Sequence, residues 1–158
     1  MAYEFYVTIE GTKQGKFKGD NRSKAHKDQI TGLAFNYEVI SPRDPASGLP
    51  TGKRQHKPVT ITKRWDAATP QLFQALVTNE VLKWVKIEFV KTSSAGKEYV
   101  YHKITLTDAT VSDIHQHAAA DTREQEEVSF TFRKIEIENV DGKTVAIDDW
   151  SSSSAEGR

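Results

Sequence analysis

Asp113, His115 and His117 alternate along the chain. On a strand successive side chains point to opposite faces, so these three would share one side. Two imidazoles and a carboxylate are zinc ligands by type. No fourth donor stands at a sensible spacing, and the histidines read instead as residues of an exposed strand. Gly11, Gly15 and Gly19 with Lys16 and Lys18 between them suggest a phosphate-binding loop. That loop requires Gly, four residues, then Gly-Lys and a hydroxyl, whereas Glu10 occupies the first glycine position and Phe17 the hydroxyl position. The basic run Lys13, Lys16, Lys18, Arg22, Lys24 and Lys27 could track a phosphate backbone. Only Phe17 lies among those charges, so the stacking rings of a single-strand platform are missing. Glu124, Glu126 and Glu127 offer carboxylates for acid–base work, but a polar β-turn accounts for them equally well. His26, His56 and His102 are scattered, with no nucleophile, base and orienting group in recognisable order. The expectation is a chain without catalytic residues, cofactor or metal.

Composition narrows the class further. The 158 residues include seven Phe, five Tyr and three Trp, enough for a packed core. There is no cysteine, so packing and hydrogen bonds alone must hold the fold. No stretch approaches the roughly 18 apolar residues of a membrane span. The N-terminus alternates polar and apolar residues, so any export is expected without a conventional leader. Twenty-two basic and 22 acidic residues cancel, which argues against general binding to nucleic acid or membrane. Residues 1–64 carry 12 Lys/Arg against 6 Asp/Glu, and residues 65–158 carry 10 against 16, giving halves of +6 and −6. Such halves suit head-to-tail association, or they cancel within one folded chain.

The elements that must position these residues are mostly strands. Tyr3, Phe5, Val7 and Ile9 form one face of a first strand, and Leu33, Phe35, Tyr37 and Val39 that of a second. Val59 and Ile61 mark a third strand, and Val85, Ile87 and Phe89 a fourth. Val100 to Leu106, Ala109 to Ile114 and Val128 to Ile137 follow, with Val145 and Ile147 in an eighth. Asp141-Gly142 predicts a two-residue type I′ hairpin. Ser93-Ser94-Ala95-Gly96 predicts a turn. Thr69-Pro70 predicts a helix start, Leu72, Phe73, Leu76 and Val77 its buried face, and Asn79 its stop. Residues 41–58, with Arg43, Asp44, Lys53, Arg54 and His56 among four prolines and two glycines, form a loop too long for a mere connector. The expected domain is 1–150, followed by a flexible serine-rich tail at 151–158.

An ordered series of segments resembles the haemolysin-coregulated protein (Hcp) family. It comprises Tyr6-Val7-Thr8-Ile9-Glu10-Gly11 with Gln14-Gly15, His26-Lys27-Asp28-Gln29-Ile30, and His56-Lys57-Pro58-Val59-Thr60-Ile61. It continues with Asp66-Ala67-Ala68-Thr69-Pro70-Gln71-Leu72-Phe73-Gln74-Ala75-Leu76 and ends with Glu127-Val128-Ser129-Phe130-Thr131-Phe132-Arg133-Lys134-Ile135. The resemblance implies a mainly β fold, an antiparallel β-barrel of two packed sheets with one short α-helix, similar to tail-tube proteins of contractile phages. It implies a homo-hexamer whose rings stack into the tube of a type VI secretion machine. A contracting sheath drives that tube, a spike protein trimer tops it, and secreted effectors ride inside. The subunit would be cytoplasmic before assembly and then secreted outside or into target cells. On this reading Arg43, Asp44, Lys53, Arg54 and His56 belong to a ring-stacking loop. The alternative is a monomeric secreted β-sandwich that binds a sugar or a protein.

Overall fold

The computed structural model describes residues 4–150; Tyr3 and the tail at 151–158 lie outside the described residues. The elements in chain order are β1 (Glu4–Gly11), β2 (Gly15–Lys16), β3 (Ile30–Gly32), β4 (Ala34–Asn36), β5 (Val39–Ile40), β6 (Gln55–His56) and β7 (Val59–Arg64). After these come α1 (Ala68–Thr78), β8 (Leu82–Thr92), β9 (Glu98–Ala119), β10 (Arg123–Thr131), β11 (Lys134–Asn139) and β12 (Thr144–Asp149). All strand pairs are antiparallel.

One sheet runs from β2 and β3 through β1, β8 and the first half of β9 to β11 and β12, and the other from the second half of β9 through β10 and β7 to β4. β9 belongs to both because it is one 22-residue strand where alternation suggested two. It changes partners near Asp108, which takes a left-handed φ of 51°. Conversely, the run from Val128 to Ile137 splits into β10 and β11 opposite that point. On the other side the chain crosses between sheets at Leu33: β3 pairs with β1, β4 pairs with β7, and the Leu33 N–H donates to Thr62 O at 2.7 Å. The barrel is therefore bridged by a change of partner and not by a continuous hydrogen-bonded ladder. This crossing also corrects the second strand, since Leu33 and Val39 are exposed while Phe35 and Tyr37 pack on the core.

The inward faces of β1 (Phe5, Val7, Ile9), β7 (Val59, Ile61), β8 (Val85, Ile87) and β10 (Val128, Phe130) make one cluster with the helix residues Ala68, Leu72 and Ala75. Phe5, Phe35 and Phe89 interlock there at centroid distances of 5.1–6.4 Å. Gly32 is required beside them, because a Cβ would stand 1.9 Å from the Phe5 ring.

The expected buried face of the helix needs correction. Leu72 is buried and Leu76 half-buried, but Phe73 is 57% and Val77 52% exposed. The core stripe is Ala68, Leu72 and Ala75; Phe73 lies about 100° further round the helix than Leu72. The helix also starts before Thr69. Asp66 Oδ1 accepts from the Ala68 N–H at 2.9 Å, and Thr69 Oγ1 accepts from the Asp66 N–H at 2.9 Å. Pro70 sits within the first turn, where a missing N–H costs nothing. Asn79 ends the helix in the left-handed conformation. At the last hairpin Asn139 pairs with Thr144, so four residues turn the chain, with Lys143 and not Gly142 at positive φ. In place of the predicted two-residue type I′ turn, the Gly142 N–H is held by Asn139 Oδ1 at 2.7 Å.

The segment between β2 and β3 folds back over the outer face of β1. His26 stacks on Tyr6 at 3.7 Å, and its ring nitrogens meet Gln29 Oε1 at 2.7 Å and Glu98 Oε1 at 2.5 Å. Burial disfavours the imidazolium, but the bonds to Glu98 and Gln29 outweigh it and raise the folded pKa. A raised pKa gives stability that is complete below the unfolded value near 6.5 and is lost as pH rises through the folded value. His26→Gln is therefore expected to destabilise more at pH 5.5 than at pH 9, by about 1 kcal/mol or less because the Glu98 side of the pair is 37% exposed. Urea melts at both pH values check this, and equal losses would contradict it.

Candidate functional site

The five residues assigned to the ring-stacking loop within the 41–58 segment fall into two groups. β5 and β6 pair through Val39 with His56 and Ile40 with Gln55, so the segment is a hairpin with a base and a tip. Arg43, Asp44 and Lys53 lie toward the tip, with Arg43 and Lys53 exposed. Arg54 and His56 lie at the base and turn inward.

The base is an ion-pair anchor on β12. Arg54 donates from Nε to Asp148 Oδ2 at 2.8 Å and from Nη2 to Asp148 Oδ1 at 2.7 Å, the two-pronged geometry that fixes a guanidinium on a carboxylate. His56 Nε2 lies 2.7 Å from Asp148 Oδ2, and the Tyr37 hydroxyl 2.6 Å from His56 Nδ1. The carboxylate only accepts, so Nε2 carries the proton, and in the neutral ring Nδ1 accepts from the phenol. The Arg54 bonds, with His56 helping and burial opposing, hold the Asp148 carboxyl below its ordinary range. Burial, followed by the Asp148 charge, raises the Tyr37 phenol and keeps it a donor. Phenol, imidazole and carboxylate in a row have the order of a nucleophile, base and orienting group. Here, however, the His56 side chain is only 4% exposed and stacked between Tyr37 and Trp150, with Phe132 edge-on. No substrate reaches it; the set anchors the hairpin.

A second polar cluster is buried. Glu126 and Lys63 are register partners on β10 and β7, both fully buried, with Lys63 Nζ 2.5 Å from Glu126 Oε2 and 2.9 Å from Asp66 Oδ1. Thr69 Oγ1 and Gln116 Nε2 also donate to Glu126, at 2.7 and 2.9 Å. Burial would raise the Glu126 carboxyl, but the bonds from Gln116, Lys63 and Thr69 hold it low. Burial pushes the Asp66 carboxyl up against the pull of Lys63. The polar-turn reading of Glu126 is thereby corrected, since it shares the inward face with Val128 and Phe130. That alternation was visible in the sequence.

Glu80 plays the same part for the first glycine-rich turn. Its carboxylate accepts from the Lys13 and Gln14 N–H groups at 2.8 Å and from Gln14 Nε2 at 2.9 Å. A Cβ on Gly11 would stand 2.3 Å from it. Nothing in the sequence linked Glu80 to a turn some 66 residues away. His115 and His117 are exposed near the end of β9 with rings 5.8 Å apart, and among the described residues no three metal-ligating side chains gather.

The fold and these clusters define a β-rich protein whose charges tie loops to sheets. The profile described as "Type VI secretion system effector, Hcp" matches residues 6–138. The chain is 41% identical to the "Major exported protein" of Pseudomonas aeruginosa, over 96% of this chain and 98% of that protein. It is similar to a solved Hcp protein with TM-score 0.88 and 29% identity, covering 94% of this chain and 100% of that one. It is also similar to the secreted protein Hcp3 of Pseudomonas aeruginosa, with TM-score 0.81, 36% identity, and 96% and 100% of the two chains covered. The chain belongs to the Hcp family of the type VI secretion system. This is a family of secreted structural tube proteins and not of enzymes.

Proposed function

We propose that the protein is a tube-building subunit in which six copies close a ring, rings stack into a tube, and effector proteins travel in the lumen. The subunit waits in the cytoplasm, and the assembled tube meets a contractile sheath outside and a spike trimer at its tip. One observation carries the self-assembly reading. Among the described residues β12 is paired on one side only, by β11, and it displays Val145 and Ile147 at 56% and 59% exposure. An open edge with an apolar face is a liability for a soluble monomer and an asset for a ring, where the next copy covers it. The family membership supports the same reading.

Native mass determination tests it: six times the chain mass is expected, and a monomer would favour a secreted binding module. The hairpin separates closure from stacking. Replacing residues 43–53 with a short Gly-Ser linker keeps the Arg54 and His56 anchor, so the hexamer is expected to persist while tubes disappear and secretion falls by tenfold or more. Collapse of this variant to monomers, seen by light scattering, would place the hairpin at the lateral interface instead.

A further inference from the structure

The hairpin tip and a groove at the opposite end of the same strand pair form a complementary set. In the β4–β7 pair Asn36 faces Thr60 and Ala34 faces Thr62. The hairpin leaves after β4 and returns before Val59, so it lies beyond one end. Arg64 and Trp65 lie at the other, roughly 20 Å along a six-residue strand. There Leu33, Trp65, Arg64, Arg123, Asp20 and Glu124 line a groove of about 330 Å³. Leu33 and Trp65 are large exposed apolar side chains. The Trp65 Nε1–H is held by Gln125 O at 3.0 Å, so the indole is fixed with its apolar body presented.

The tip carries the counterpart. Leu49 is 64% exposed. It projects from a turn that is already ordered: the Asp44 N–H donates to Leu49 O at 2.9 Å, the Gly48 N–H to Asp44 O at 2.8 Å, and Ser47 Oγ to Asp44 Oδ2 at 2.7 Å. Gly48 supplies the positive φ of 76° that this turn needs. A pre-ordered knob loses little conformational entropy on docking. The tip's Arg43 and Asp44 also match the mixed signs of the groove's rim.

We propose that Leu49 of one copy seats on Leu33 and Trp65 of a copy in the adjoining ring, with Arg43 and Asp44 meeting the rim carboxylates and guanidinium groups. This rests on the ring-stacking reading above. A knob and a socket at opposite ends of one chain make a heterologous contact, and such a contact builds an open stack when its rotation does not close into a ring. The charged rim sets its orientation.

The absence of native cysteine makes trapping clean. The double variant Leu33→Cys/Leu49→Cys cannot bridge itself, because its two sites lie at opposite ends of a strand pair while a disulfide spans only about 6 Å between Cα atoms. Under mild oxidation at high protein concentration it is expected to give a reducible ladder of covalent multimers on a non-reducing gel. Either single variant gives no species beyond a dimer, and multimers at least tenfold above the single variants are expected. Multimers no more abundant than in the single variants, or equally complete dimerisation of Leu49→Cys alone, would overturn the knob and socket. Native mass of the unoxidised wild type reports the ring separately. A hexamer without the ladder rejects only the knob and socket, and a monomer with the ladder rejects ring closure and the placement of the contact between rings while leaving a head-to-tail contact between copies.

Discussion

Glu126→Ala is expected to cost about 3–5 kcal/mol of folding stability, because it strands a buried lysine without its nearest counter-charge. Lys63 is fully buried, and its ammonium group is shared among Glu126, Asp66, Thr69 and the Arg64 carbonyl. The network joins β7, β9, β10 and the start of α1, so its loss loosens the helix as well as the sheet. Removing both charges with Lys63→Met/Glu126→Leu is expected to recover only part of the loss, since it leaves the buried Asp66 carboxylate without the Lys63 ammonium group. The lowered Glu126 pKa adds a pH signature. Its contribution is present above the unfolded carboxylate value near 4.3 and disappears as pH falls through the folded one. Urea melts of the three proteins at pH 7 decide the matter: a loss below 1 kcal/mol for Glu126→Ala would show that water or rearrangement stabilises Lys63.

Leu72→Ala is expected to cost about 2–5 kcal/mol, whereas Phe73→Ala costs about 0.5 kcal/mol or less. Leu72 is fully buried beside Ala68 and Ala75 in the core cluster, and truncation leaves a cavity that the close-packed neighbours fill only in part. Phe73 is larger but more than half exposed in the single chain. Thermal or urea unfolding of dilute protein measures both. If Phe73→Ala proved as damaging as Leu72→Ala, the helix would be seated with the rotation that its apolar spacing first suggested.

The hairpin shows where reading residues in order reaches its end. Arg43, Asp44, Lys53, Arg54 and His56 look alike in sequence, as polar residues between prolines. Only three-dimensional pairing divides them, because the partner of Arg54 and His56 is Asp148, more than 90 positions later. Reversing charge at Arg54 therefore breaks an internal anchor, while reversing it at Arg43 alters a presented surface.

Alternation in the sequence determined which faces of β1, β7, β8 and β10 enter the core, because a period of two needs no knowledge of the partner strand. The helix and its stop at Asn79 were likewise local matters, set by spacing and by a residue that tolerates the left-handed conformation. The ordered series of segments carried the family resemblance. What tertiary structure decided was everything that depends on register and crossing: the opposition of Lys63 and Glu126, the unity of β9, the transfer between sheets at Leu33, and the rotation that exposes Phe73. These share one physical cause. Each is fixed by contacts between residues far apart along the chain, whose energies arise only once packing has brought them together.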